Sequence, residues 1–446
     1  MTRPSYPFDV RSRDVWAIAL PASVAFITEP LAGLVDITVI GRQGDAALLG
    51  GVVIGALVFD FIFSLAYFLR IGTAGLTAQA IGARDARDGL LHVVRAIGIA
   101  VIVGLGMIVL QVPLLDLSRL AMAPTPAVAD AFATYFHVRI WAAPFSLINY
   151  ALLGWFYGRA AAKTGMLLQL LIHITNIVLS VGLVYGLGWG VAGVALGTVL
   201  GQVAAAGLGL ALLARHFGGA RRLIGLMTPA ELLHGHALKR MFGLSRDLMI
   251  RSLALMSAYA WFAAQGSRMG EVPLGANAIL LNFLMISGFF LDGIAQAAEQ
   301  LCGKAVGANW RPAYESAYGL AFRWGTLLAL GLAIVWFLGG WFLIDFMTTS
   351  EPVREYARGF LWIAALSSLT GMPAFVYDGI LVGSTLNVVM RNGMVLALAI
   401  FLVSVIPLQA GLGNTGLWLA IHIFFVARSG FYWWALERKK AGLFTA

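Results

Sequence analysis

The sequence predicts an all-α polytopic membrane protein whose twelve transmembrane helices form two pseudo-symmetric lobes of six. Three observations lead to this prediction: an apolar composition, twelve long apolar runs and an internal repeat. Of the 446 residues, 60% are hydrophobic and 11% are charged, with a mean hydropathy of +0.86. Soluble domains are only about half apolar and about one quarter charged. The 52 glycines suit close helix packing in lipid.

The apolar runs are each long enough to cross a bilayer, which takes about 20 residues in a helix. Short segments rich in Gly, Pro, Asp and Arg separate the runs and are typical of loops. The predicted spans cover residues 15–39, 50–77, 90–113, 130–157, 165–187, 190–213, 241–266, 275–301, 318–344, 358–384, 393–410 and 415–436.

The basic residues alternate between the two sides of this arrangement. Of the 30 Lys and Arg, 20 lie on the side that includes both termini and 5 lie on the opposite side. Because positive residues concentrate in cytoplasmic loops, both termini are predicted to be cytoplasmic, in a cytoplasmic (inner) membrane. The net charge is +9, but the basic residues lie in the segments between apolar runs, so no nucleic-acid partner is expected.

The longest basic connection lies between spans 6 and 7 and divides the chain. We predict an N-lobe at 1–213, a basic cytoplasmic linker at 214–240 and a C-lobe at 241–446. Repeated motifs support two parallel halves: "AIGA" at 80–83 recurs as "AVGA" at 305–308 after 225 positions. Such internal repeats are common in transporters.

Two acids interrupt the first apolar run. Asp36 lies near its centre and Glu29 lies seven residues earlier, on roughly the same helix face. A carboxylate in a low-dielectric span loses solvation, which favours its neutral form and makes it a candidate proton carrier. Pro21 and Pro30 are expected to weaken the helix nearby. The alternative for each acid is a structural hydrogen bond or salt bridge.

Other polar residues inside the predicted spans are ambiguous from their type alone. Asn176, Ser180 and Thr198 suit either substrate contact or hydrogen bonds between helices. Asp60 and Arg70 are expected to pair with other helices, and an interfacial ion pair is expected among Arg246, Asp247 and Arg251. In the C-lobe, three acids suit ion or substrate contact as well as structural pairing: Asp292, Glu299 and Asp378.

Catalytic and metal-binding motifs are not recognised in the sequence. It contains no HExxH, GxSxG or Walker pattern, and Cys302 is the single cysteine. We therefore predict a protein that is not an enzyme and uses no metal or cofactor. Without a nucleotide-binding domain on this chain, transport would draw on an ion gradient, of protons or possibly of sodium.

Several segments resemble the multidrug and toxic compound extrusion (MATE) transporters, and within them the branch typified by DNA-damage-inducible protein F. They are "ALPASVAFITEPLAGLVDITVIG", "FLRIGTAGLTAQAIGARD", "LDGIAQAAEQLCGKAVGA" and "DGILVGST". The resemblance covers nearly the whole chain. It implies a V of two six-helix lobes that exports amphipathic, often cationic, compounds while protons or sodium ions enter.

The resemblance also assigns roles to particular residues. It implies that Asp36 accepts the proton, that span 1 bends near Pro21, and that Asn176 and Thr198 belong to an N-lobe substrate pocket. Relatives commonly carry an acid at the position of Ser180. We therefore expect that Asp36 works alone or that Glu29 supplies the second carboxylate.

The resulting prediction is a monomeric proton-coupled antiporter in a lipid bilayer, exporting small amphipathic molecules with Asp36 as the protonation switch. The resemblance leaves two transport alternatives. One is sodium coupling through Asp378, which matches a cation-binding acid in sodium-coupled relatives. The other is a flippase for lipids or lipid-linked sugars.

Overall fold

The computed structural model describes residues 4–225 and 235–444, which are almost entirely helical. In this described part, nine stretches are long and apolar enough to cross a membrane. They correspond in order to predicted spans 1, 2, 3, 5, 6, 8, 9 and 10, and to spans 11 and 12 together. Their bounds are Ser12–Gly41, Ala46–Gly82, Ala86–Val109, Ala162–Gly186, Gly190–His216, Glu271–Gly307, Arg311–Met347, Glu351–Gly383 and Asn387–Leu443.

The remaining predicted spans are also helical. Span 4 consists of helices Pro126–Arg139 and Ala143–Gly158, joined by one 3-10 turn at Ile140–Ala142. Span 7 lies in helix Gly235–Arg268. The last apolar stretch holds spans 11 and 12, which are separated by non-helical backbone at Gly413 with φ 57° and ψ −132°. Each predicted span is thus helical over most of its length, with interruptions within spans 2 and 4, and the predicted fold class is confirmed.

Two short helices were not predicted as separate elements. Helix Gln111–Met122 follows span 3 and ends at Ala123 in the left-handed region with φ 43°. It mixes apolar residues with Asp116 and Arg119, which is why an apolar run ending at residue 113 did not reveal it. Helix Ala220–Gly225 begins the predicted linker, of which residues 226–234 lie outside the described part.

The chain divides into two compact units. The described residues of Ile27–Thr77 and Asp85–Phe242 form one, here called the N-unit. Those of Met1–Phe26, Ala78–Arg84 and Gly243–Ala446 form the other, the C-unit. Spans 1 and 2 therefore each contribute to both units, and the lobe boundaries drawn from the sequence stay a prediction.

Small residues let spans 5 and 6 approach closely within the N-unit. A Cβ atom added at Gly197 would lie 2.7 Å from Oγ of Ser180, and one at Gly201 would lie 2.6 Å from the carbonyl oxygen of Ile172. Only glycine leaves room for such backbone contact. This packing brings the polar residues of span 5 against span 6.

The repeated motif packs against its own counterpart within the C-unit. A Cβ atom at Gly82 would overlap the carbonyl oxygen of Lys304, and one at Gly307 would overlap the carbonyl oxygen of Gln79. Gly307 lies 225 positions after Gly82, and Lys304 lies 225 positions after Gln79. The contact is therefore reciprocal: each glycine accommodates the backbone of the other repeat.

We expect Gly82→Ala and Gly307→Ala each to lower the apparent melting temperature of the detergent-solubilised protein. The added methyl group forces two backbones apart, and overpacking of this kind costs about 1–3 kcal/mol. The control is Gly98→Ala in span 3, where no atom lies within 4 Å of the added Cβ. Since alanine favours a helix, this control should melt no lower than the wild type. Equal melting of all three variants would refute the close contact.

Candidate functional site

Asp36 is the centre of a hydrogen-bonded cluster in the N-unit. Oγ of Ser180 donates to its Oδ1 at 2.9 Å, and Nδ2 of Asn176 donates to its Oδ2 at 3.3 Å. Ser180 is 0% exposed and Asn176 is 2% exposed, whereas Asp36 is partly exposed. The carboxylate of span 1 is thus held by two neutral groups of span 5.

The cluster extends to span 6. Nδ2 of Asn176 also donates to Oγ1 of Thr198 at 2.8 Å, and that hydroxyl donates to the carbonyl oxygen of Val194 at 3.2 Å. Oδ1 of Asn176 is buried and has no hydrogen-bond partner among the described residues. Four of the residues selected from the sequence therefore converge, and one buried acceptor of the cluster has no donor among the described residues.

A second contact between spans 1 and 5 was not anticipated from the sequence. The hydroxyl of Tyr185 donates to the carbonyl oxygen of Val39 at 3.2 Å. Tyr185 lies in a π-helical turn, Gly182–Gly186, at the end of span 5. Turns of this kind occur frequently at functional sites.

Arg139 in span 4 was also not anticipated as part of this region. It is 8% exposed, and its guanidinium lies 5.3 Å from the ring centres of Phe59 and Phe63. Its charge acts on both Asp36 and Asp60, and it interacts with the buried Tyr135. Arg139 is the last residue before the 3-10 turn that interrupts span 4. A buried cation therefore lies within electrostatic range of the central carboxylate.

Glu29 belongs to a different part of the N-unit from Asp36. It is exposed, and the charges that act on it most strongly are those of Asp60 and Arg70. Its charge also acts on Tyr150 in span 4. The guanidinium of Arg70 stacks 4.7 Å above the ring of Tyr67. In the described part of the chain, no hydrogen bond joins Glu29 to the Asp36 cluster, and its role as a second proton carrier stays a prediction.

The two prolines of span 1 lie within one continuous helix, Ser12–Gly41. Pro21 is buried and Pro30 is exposed. The boundary between the units falls between them, after Phe26. Pro30 has no N–H to donate to the carbonyl of Phe26, so helical hydrogen bonding is weakened at that boundary.

The C-unit contains a tightly paired acid. Oδ2 of Asp378 accepts from Nη2 of Arg251 at 2.7 Å and from Nη2 of Arg428 at 2.5 Å. Arg428 is 1% exposed and Asp378 is 8% exposed. Asp292 is partly buried, and its charge acts on Arg251. Glu299, 7% exposed, lies on the same helix as Asp292.

The ion pair expected at the start of span 7 forms between Arg246 and Asp247, but Arg251, its third expected member, does not take part in it. Nη2 of Arg246 lies 3.4 Å from Oδ1 of Asp247, and Nη1 of Arg391 donates to the same oxygen at 2.7 Å. Arg251 bonds Asp378 instead of joining them. The helix begins at Gly235, before the predicted start at residue 241, which places Arg251 deeper in the span.

The charges of the two units are balanced differently. In the C-unit, two arginines, Arg251 and Arg428, bind the carboxylate of Asp378 directly. In the N-unit, two neutral groups, of Ser180 and Asn176, bind the carboxylate of Asp36. Asp36 is therefore the acid whose charge is not already neutralised by a hydrogen-bonded cation.

Comparisons with known proteins agree with this architecture. The family model of MatE matches residues 21–181 and 248–409, one segment in each half of the chain. DNA damage-inducible protein F of Escherichia coli is 34% identical over 414 residues, which cover 93% of this chain and 89% of that protein. Multidrug export protein MepA of Staphylococcus aureus is 18% identical over 384 residues, covering 85% and 84%.

Solved structures share the fold at lower identity. A structure described as MATE in the straight conformation has a TM-score of 0.87 and 19% identity, covering 96% of both chains. A MOP superfamily transporter from Pyrococcus furiosus has a TM-score of 0.81 and 20% identity, covering 98% of this chain and 97% of that one. Because the family model matches both halves and the Escherichia coli relative aligns over nearly the full length, this multi-pass membrane protein belongs to the MatE family of multidrug efflux transporters.

Proposed function

We propose that the protein is a proton-coupled antiporter of the cytoplasmic membrane that exports small amphipathic cations, with Asp36 as its protonation switch. The observation that carries this proposal is the environment of Asp36. Its two hydrogen-bond donors, Ser180 and Asn176, are both neutral. A carboxylate held in this way can gain or lose a proton without breaking an ion pair.

The hydroxyl of Ser180 suits both protonation states. It donates to the ionised carboxylate, as observed, and it can accept from the protonated one because a hydroxyl is both donor and acceptor. An acid at position 180 would instead place a second charge beside Asp36. The serine at position 180 is therefore compatible with a switch in which Asp36 is the single carboxylate.

The paired state of Asp378 argues against sodium coupling in this chain. Two guanidinium groups already bind its Oδ2. A sodium ion at that carboxylate would have to displace an arginine or lie beside both positive charges. Asp36 in the N-unit is therefore the stronger candidate for the site that binds the coupling ion.

Differential binding then gives a transport cycle. Ionised Asp36 attracts a cationic substrate in the outward-facing state, and protonation removes that attraction so that the substrate leaves. The protonated transporter returns inward and releases the proton to the cytosol. Only a ligand that binds the two states unequally can drive such an exchange.

We further propose that span 1 bends between Pro21 and Pro30 during this cycle. The residues before Phe26 pack in the C-unit, where Oγ of Ser23 donates to the carbonyl oxygen of Phe290 at 3.1 Å. The segment that carries Asp36 packs in the N-unit. A bend at the weakened boundary would move Asp36 while its anchoring half stays in place.

The experiment compares two gradients in proteoliposomes that contain the purified protein. An imposed pH gradient should drive uphill transport of rhodamine 123, an amphipathic cation, and a sodium gradient alone should not. Transport by the sodium gradient alone would establish the sodium alternative. If neither gradient moves the dye but a fluorescent lipid is translocated, the flippase alternative holds.

We expect Glu29→Gln to slow proton-driven rhodamine 123 transport without abolishing it. Glu29 is exposed and its charge interacts with those of Asp60 and Arg70; an interaction of a solvent-exposed charge contributes up to about 1 kcal/mol, or about fivefold in rate. The matched control is Asp130→Asn, an exposed acid at the start of span 4. Unchanged transport in Glu29→Gln would remove Glu29 from proton coupling.

A further inference from the structure

A non-helical segment precedes span 1 and has no role in the proposed cycle. It covers residues 4–10, here called the strap, and belongs to the C-unit. Tyr6 and Phe8 are partly buried and Val10 is buried, whereas residues 5, 7 and 9 are exposed. Burial at every second residue is typical of an extended chain with one face packed against the protein. The strap is therefore docked on the C-unit along one face.

Tyr6 of the strap connects the ends of spans 2 and 8. Its backbone N–H donates to the carbonyl oxygen of Ala308 at 2.9 Å, and the guanidinium of Arg84 stacks 4.5 Å from the centre of its ring. Ala308 follows helix Glu271–Gly307, and Arg84 lies just after helix Phe68–Gly82. A single residue of the strap thus binds both halves of the repeat.

Phe8 adds a second contact to span 8. Nζ of Lys304 lies 4.3 Å from the centre of the Phe8 ring. Lys304 is also the residue whose carbonyl oxygen packs on Gly82 in the reciprocal contact described above. The strap therefore lies beside the place where the two repeats approach most closely.

The two repeats end in matching turns next to the strap. Arg84 and Asn309 are 225 positions apart, and both have left-handed backbone, with φ of 57° and 49°. Residues other than glycine rarely adopt this conformation, and such residues cluster at functional sites and switch regions. The strap thus binds the two repeats at equivalent points.

These contacts lie on the side of the protein that is predicted to be cytoplasmic. Arg84 and Lys304 both belong to the 20 basic residues of that side. A transporter built from two repeats opens on each side in turn by moving one repeat against the other. The contact between Gly82 and Gly307 joins the repeats, so opening on this side has to separate it.

We infer that the strap is a cytoplasmic latch, which holds the ends of spans 2 and 8 together and thereby favours the state that is closed to the cytoplasm. Tyr6 can bridge Arg84 and Ala308 only while the two ends are adjacent. A contact that forms in one state alone shifts the equilibrium toward that state by its own free energy. This inference rests on the alternating access of the proposed function and specifies what biases it.

A thiol placed in the contact measures how often the contact opens. Ala78 is 0% exposed, and a Cβ atom added at Gly303 would lie 2.8 Å from its Cβ. Ala78→Cys is combined with Cys302→Ser, which removes the single cysteine of the chain. The reaction of this purified full-length protein with N-ethylmaleimide is followed without substrate or ion gradient. Because the thiol is buried in the closed state, the rate follows the population in which spans 2 and 8 have parted.

In this background, Tyr6→Ala and Phe8→Ala are each expected to speed labelling about two- to fivefold, because each removes an aromatic ring from a cation. Both substitutions together should speed it about tenfold. Tyr6→Phe keeps the ring and should leave the rate unchanged. The matched control is Arg438→Gln, which removes an arginine stacked 4.2 Å from the ring centre of Trp434 within one helix and should also leave the rate unchanged.

A double-mutant cycle identifies the partner of Tyr6. Arg84→Gln alone should speed labelling as much as Tyr6→Ala does. Once either the ring or the guanidinium has been removed, removing the other should add little, since the effects of residues in contact are not additive.

Three results would overturn the latch. If Tyr6→Ala and Tyr6→Phe label at the same rate, with both proteins eluting as a single folded species, the strap does not hold the contact. If Arg438→Gln speeds labelling as much as Tyr6→Ala, the effect is not specific to the strap. If the effects of Tyr6→Ala and Arg84→Gln multiply, the two residues do not act as a pair. Labelling uses no substrate, so failure of rhodamine 123 transport would reject the export proposal without altering these outcomes.

Discussion

Asp36→Asn is expected to abolish proton-driven export of rhodamine 123 in proteoliposomes while leaving the fold intact. Asparagine has nearly the same shape, and its single amide oxygen can accept from Ser180, although it cannot replace both carboxylate oxygens. It carries neither a charge for the substrate nor an exchangeable proton. Loss of one charge-assisted contact alone should weaken binding of the dye by about tenfold or more.

The comparison that isolates coupling is uphill transport against downhill transport. Asp36→Asn should still let the dye equilibrate, at a reduced rate, but should not concentrate it when a pH gradient is applied. Asp130→Asn serves as the control because it removes an exposed acid from the same unit. Proton-driven accumulation of the dye by Asp36→Asn would exclude Asp36 as the switch.

Arg428→Met is expected to be among the most destabilising single substitutions in the C-unit. It leaves the buried carboxylate of Asp378 with Arg251 as its remaining guanidinium partner. Breaking a buried ion pair by removing one partner costs about 3–5 kcal/mol, since the other charge stays buried. Thermal unfolding of the solubilised protein measures the effect.

A second substitution tests whether the unpaired charge of Asp378 causes the destabilisation of Arg428→Met. Combining Arg428→Met with Asp378→Asn removes one positive and one negative charge, which restores the net charge of the wild type, and Asp292 remains to interact with Arg251. The double variant should therefore melt above Arg428→Met. The control, Arg358→Gln, removes a more exposed arginine that pairs with Asp345 and Glu351, and should melt close to the wild type. If the double variant melts below Arg428→Met, the unpaired charge of Asp378 is not the cause of the destabilisation.

The sequence was a reliable guide where the relevant physics is local. An apolar run long enough for a bilayer must satisfy its backbone internally, so each of the twelve runs predicted helical structure, although a 3-10 turn divides span 4 into two helices. The boundaries were less accurate, because helices such as Arg311–Met347 continue through charged residues beyond the apolar run. The helix Gln111–Met122 was missed for the opposite reason, since it is too polar to form such a run.

Contacts between distant spans are where residue patterns alone were insufficient. Asp36 and Asn176 are 140 positions apart, and only the family resemblance suggested that they share a pocket. Arg139 had no such support: a single arginine in an apolar run gives no indication of which carboxylates it faces. Likewise, the position of Arg251 beside Asp378 depends on where span 7 begins and on how it packs against span 10.

The reciprocal contact between Gly82 and Gly307 has the geometry of an isologous interface, such as joins the two subunits of a homodimer. In such an interface residue i of one copy touches residue j of the other, and j touches i in return. Here Gly82 meets Lys304 while Gly307 meets Gln79, within a single chain. Each half of the protein therefore carries a surface that is complementary to the same surface of the other half, and a larger residue at either glycine would push the two surfaces apart.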